Sequence, residues 1–141
     1  MRRRLARAVI AVGMSLVAFA AAAQPLPGPL PDDGKGPPDE ILHLSGGWEL
    51  KTEDGKHSCL LTLTARRIPA GYVLVQKTPC TDPVLYMDEA VAWQVNPESL
   101  QFVTVTGAAV STFFPERGRL FTRTDPVLLL VSTDKQGEGT L

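Results

Sequence analysis

The segment WELKTEDGKHSCLLTLT, residues 48–64, holds two alternating runs around a turn. Trp48, Leu50 and Thr52 share one parity in the first run, and Cys59, Leu61 and Leu63 share one in the second. A period of two is the mark of a strand with one face buried. Between the runs, Glu53-Asp54-Gly55-Lys56 supplies an Asp-Gly pair, and glycine takes the positive φ of a tight turn without a Cβ clash. The segment therefore reads as a β-hairpin.

The same grammar continues downstream. Pro69-Ala70-Gly71 turns the chain into a run over 72–77, and Cys80-Thr81-Asp82-Pro83 precedes a run over 89–95 with Val91, Trp93 and Val95 on one side. Asn96-Pro97-Glu98-Ser99 leads into 100–105, Gly107 separates off 108–114, and Pro115-Glu116-Arg117-Gly118 ends that run. Runs over 119–123 and 127–132 flank Thr124-Asp125-Pro126. No stretch keeps a 3.6-residue period long enough for an ordinary helix. Eight strands with short connections favour neighbour-to-neighbour antiparallel pairing, and eight suffice to close a barrel and remove exposed edges. The sequence thus predicts an all-β fold: a compact eight-stranded antiparallel up-and-down β-barrel, lipocalin- or streptavidin-like, over residues 44–133. Trp48, Trp93, Phe102 and Phe114 are expected to point inward and fill it, and residues 134–141 are expected to be a flexible C-terminus.

Upstream, Arg2, Arg3, Arg4 and Arg7 precede an apolar run from Ala8 to Ala20 and the small residues Ala21-Ala22-Ala23. That order is a secretory signal peptide, expected over 1–23, with Gln24 as the mature N-terminus. The apolar run is too short for stable membrane insertion. The address is periplasmic or secreted. Without residues 1–23 the chain keeps ten basic and all 15 acidic residues, a net charge of −5. Nucleic acid is therefore not an expected partner. Residues 24–43 form an expected Pro/Gly-rich extended tail, because six of the 12 prolines fall between Gln24 and Glu40. The only cysteines, Cys59 and Cys80, are bound for an oxidising compartment and are expected to form a disulfide.

Catalytic signals are missing from the sequence. His43 and His57 belong to no metal-ligand spacing, and no G-x-S-x-G elbow, phosphate loop or dinucleotide fingerprint occurs. Asp54, Asp82, Asp125 and Glu116 fall in turns, where turn chemistry accounts for them. The expectation is a non-enzyme with no metal or cofactor, and a monomer.

Leu44-Ser45-Gly46-Gly47-Trp48-Glu49-Leu50, followed by Cys59, Leu61 and Leu63, Gly71-Tyr72, Leu74, Cys80, Trp93, Leu100, Val110 and Phe113-Phe114, resembles the bacterial metalloprotease inhibitors of the Inh type. That resemblance covers about residues 40–132. It implies an eight-stranded barrel with one disulfide that inhibits serralysin-like secreted zinc metalloproteases. In such inhibitors a trunk ahead of the barrel enters the protease cleft, and the N-terminal amine approaches the zinc. Here residues 24–43 lie ahead of Leu44, and Gln24 can cyclise and lose its basic amine. The trunk role therefore passes to an inhibitory arm of Pro37, Pro38, Asp39, Glu40, Ile41, Leu42, His43 and Leu44. Ser45, Gly46, Gly47 and Trp48 open the barrel. A wider range of proteases as partners, a small-ligand carrier built on the barrel interior, and a cell-envelope interaction module are the rival functions.

Overall fold

The 48–64 hairpin forms as strands β1 (Gly46–Thr52) and β2 (Ser58–Ile68), with Trp48 opposite Leu61 and Leu50 opposite Cys59. A computed structural model describes Gly28, Leu30 and residues 34–134. The expected signal peptide, Gln24 and residues 135–141 lie outside the described residues. Six more strands follow: β3 (Gly71–Gln76), β4 (Ala92–Asn96), β5 (Ser99–Val103), β6 (Ala109–Glu116), β7 (Arg119–Phe121) and β8 (Leu128–Ser132). Each pairs antiparallel with the next, and β8 returns to β1 through Leu50 opposite Leu130, so the sheet closes into an eight-stranded up-and-down barrel. Closure satisfies main-chain groups that an open sheet would leave as edges.

Alternation decides what fills the barrel. Leu50, Leu61, Leu63, Trp93, Phe102, Phe113 and Leu130 are fully buried, and Trp48, Leu74 and Leu100 join the same cluster. The indole Nε1–H of Trp93 finds the Thr64 carbonyl at 3.0 Å, so its polar atom is satisfied inside the apolar core. These side chains pack the barrel interior between the strands that carry them. A second row of Val73, Ala92 and Val103, with Ile68 and Ala70, is buried on the opposite parity of β3 to β5.

Three local expectations change. Phe113, not Phe114, points inward: Phe113 lies opposite Leu100 with its ring 4.8 Å from that of Phe102. Adjacent strand residues face opposite ways, so Phe114 is left half-exposed, opposite Phe121, with the Arg123 guanidinium 3.9 Å over its ring. Residues Asp39–Leu44, expected to be extended, form the short helix α1. It starts after the last proline of the tail, where Pro38 no longer removes a needed donor, and its first turn carries Asp39 and Glu40 at the positive end. The long β3–β4 connection folds into a 3₁₀ turn, Pro83–Leu85, because the Asp82 carboxylate accepts from the Val84 N–H at 3.0 Å. That turn delivers Leu85, Met87 and Ala90 into the main core.

Cys59 and Cys80 are bonded, with Cα atoms 5.5 Å apart. The bond ties the start of β2 to the β3–β4 connection that plugs one end of the barrel. Next to it, the His57 imidazole Nδ1 meets the Asp82 carboxylate, joining the β1–β2 turn to the same connection. The β6–β7 turn, Arg117-Gly118, has both residues at positive φ, 44° and 81°, as a two-residue hairpin turn requires.

Candidate functional site

In an up-and-down barrel alternate turns share an end. One end gathers the β2–β3, β4–β5 and β6–β7 turns with the entry to β1 and the exit from β8; the other holds the disulfide and the His57–Asp82 pair. Helix α1 enters β1 directly through Ser45, so the expected arm stands at the first of these ends.

Hydrogen bonds and packing together fix the arm to the barrel. The Trp48 Nε1–H donates to the Leu44 carbonyl at 2.9 Å, and the Ser45 hydroxyl and N–H both donate to the Ile41 carbonyl, at 2.7 and 2.9 Å. These occupy carbonyls that a helix end would otherwise leave open. The Ile41 side chain is buried in the main core and Leu44 packs against it. The Ile41 and Leu42 N–H groups both donate to the Pro38 carbonyl. What the core does not take faces outward: Pro38, Asp39, Glu40 and His43 are exposed, and Leu42 is 52% exposed.

The barrel opening has a physical explanation of its own. Gly46 has φ of 133°, a conformation side chains rarely adopt, and a Cβ there would lie 2.7 Å from the Asp134 carboxylate. A Cβ on Gly47 would collide with the Thr133 hydroxyl. Both glycines make room for the chain leaving β8, where Asp134 accepts from the Gly47 N–H and the Thr133 N–H donates to the Gly47 carbonyl at 2.9 Å. Serine as cap, two glycines for close approach and tryptophan as clamp thus form one device.

Between the arm and the barrel rim lies a cavity of about 260 Å³. Glu40, His43 and Leu44, at helical spacing, make one wall; Val95, Glu98 and Leu100 of the β4–β5 hairpin make the other. Pro115 of β6 and Leu120 of β7 complete its lining.

The structure therefore brings Pro37 to Leu44 together with Ser45 to Trp48, and leaves Cys59 and Cys80 at the far end as structural residues. Gln24 lies outside the described residues. Sequence reading did not single out Glu98, Leu100 and Asp134 as neighbours of the arm. Asn96-Pro97-Glu98-Ser99 signalled only a turn, and which turns share an end emerges once the strand count is closed into a ring. Leu30, in the tail, donates its N–H to the Arg67 carbonyl at 3.2 Å, which brings it to the same end. Among the described residues no cluster of three metal-binding side chains occurs, and no helix is long and apolar enough to cross a membrane.

A family model described as protease inhibitor Inh matches residues 40–127. No curated protein matches the chain. Among solved structures, a psychrophilic marine protease MP inhibitor is similar at 15% identity and a TM-score of 0.49, over 66% of this chain and 98% of that one. The family match begins in the arm, at Glu40, and runs through the barrel to Val127: the chain belongs to the Inh family of protease inhibitors.

Proposed function

We propose that the protein, exported as a monomer to the periplasm or beyond, inhibits a secreted zinc metalloprotease of the serralysin type by occluding its cleft with the arm 37–44. The observation that carries this reading is the fixing of α1 at the barrel mouth by Ile41 and Trp48, with Leu42 left outward. An arm held by a rigid barrel loses little conformational freedom on entering a cleft, so more of its contact energy becomes affinity. Proline at 37 and 38 stiffens the approach and makes the neighbouring peptide bonds poor substrates. The protein's role is to bind without turnover. The zinc belongs to the protease, and residues 37–44 act by filling space before it.

Titration of the mature protein against a serralysin-type protease tests this, with and without residues 24–43. Full-length mature protein is expected to block cleavage at micromolar concentration or below, and the truncated form to lose most of that effect while keeping its strand circular dichroism. Undiminished cleavage in the presence of both would sink the reading.

A further inference from the structure

We propose that the cavity between α1 and the β4–β5 hairpin receives one lysine or arginine side chain of the protein that docks on the arm end. The partner's identity rests on the inhibitory reading; the chemistry of the cavity does not. At about 260 Å³ the cavity is smaller than the 300–1,000 Å³ usual for a small-molecule site and is sized for a single long side chain. Its lining is largely apolar, with Leu44, Val95 and the buried Leu100 and Leu120, and its charged lining residues are two carboxylates, Glu40 on one wall and Glu98 on the other. No lysine or arginine lines it, and among the described residues neither carboxylate takes part in an ion pair.

That pattern is the complement of an amphipathic cation. Lysine and arginine carry an apolar stem that packs on hydrocarbon walls and a charged head that stays at the rim. A partner closing over the mouth would remove water from Glu40 and Glu98, and a cation between them makes charge-assisted hydrogen bonds in place of those lost. A purely apolar side chain would fill the cavity and leave both carboxylates desolvated without compensation. One wall belongs to the arm and the other to the barrel, so the entering side chain would bridge the two and lock α1 in the bound position.

The test is an amide chemical-shift titration of the full mature protein with Nα-acetyl-arginine methylamide at millimolar concentration, with the norleucine analogue beside it. Saturable shifts are expected at His43, Leu44 and residues 95–100 with the arginine probe and much smaller ones with norleucine. Glu40→Gln combined with Glu98→Gln, both at exposed positions, is expected to abolish the difference. No saturable shift, equal shifts with norleucine, or shifts surviving the double variant would each overturn the proposal. In the protease titration the double variant is expected to raise the half-inhibitory concentration about tenfold. Unchanged inhibition by the variant would remove the cavity from the interface and leave the inhibitory function standing. If the unaltered protein fails to inhibit, the function falls, and the cavity is judged on the titration alone.

Discussion

The Trp48 indole donates its Nε1–H to the Leu44 carbonyl, tying the last residue of α1 to the side chain that enters the core just beyond the two glycines. Trp48→Phe keeps an aromatic ring in place and removes the donor. The barrel is expected to lose about 1 kcal/mol plus a packing term. Amide hydrogen exchange over residues 39–44 should accelerate more than exchange in β2 or β8, and inhibition should weaken more than global stability does. Equal changes throughout the chain would show that the bond has no part in holding the arm.

Phe113 and Phe114 are adjacent and nearly isosteric to a reader of the sequence, yet they stand on opposite sides of β6. Phe113→Ala empties a fully buried site and is expected to cost about 3–5 kcal/mol. Phe114→Ala loses contact with Phe121 and Arg123 at the surface and is expected to cost about 1 kcal/mol. Urea denaturation of the two variants measures the contrast.

The disulfide spans 21 positions of sequence, so its loss frees a loop whose closure is worth about 3 kcal/mol. Cys59→Ala with Cys80→Ala is expected to lower the melting temperature by about 10 °C or more. Because the bond sits at the end of the barrel away from the arm, inhibition measured well below the new melting temperature should change little.

Asp82 is held below the usual carboxylate range, first by the hydrogen bond with the His57 ring and then by the Val84 N–H. Asp54 is held low in the same way, by the Thr52 hydroxyl and the Lys56 N–H. A carboxylate whose folded value is depressed stabilises the fold above its unfolded value, and that contribution disappears as pH falls through the lower folded one. Unfolding free energy should therefore be flat on the acid side down to about pH 5 and decline below about pH 4. Asp82→Asn should be less stable at pH 6 and show a shallower decline, as measured by denaturant titration across this range.

The barrel was legible because each strand announces itself by alternation and each turn by glycine, proline or aspartate. Leu61, Leu63, Trp93 and Phe102 took the core positions their parity assigned. The side of the Phe113-Phe114 pair was not legible, since two consecutive aromatics satisfy either parity and only the ladder opposite Leu100 chooses between them. The helix at Asp39–Leu44 was hidden by the prolines before it, which set the composition of the whole tail. Its six residues are too few to show a period, and tertiary burial of Ile41 rather than propensity holds it. The cavity beside the arm was invisible for a topological reason: its walls are some fifty residues apart in sequence and meet only on closing the ring.

The clasp between Asp134 and Gly47 brings the exit of β8 to the start of β1. A fusion joined directly after Asp134 would accordingly emerge next to the arm and crowd an approaching protease. The same proximity makes residues 46–134 a natural candidate for circular permutation, with a short linker joining Asp134 to Gly46 and a new opening cut in the exposed β1–β2 turn at Asp54-Gly55, on the opposite pole. Such a rewired barrel would keep its staves and lose its threaded lead, separating the contribution of scaffold from that of arm in a single molecule.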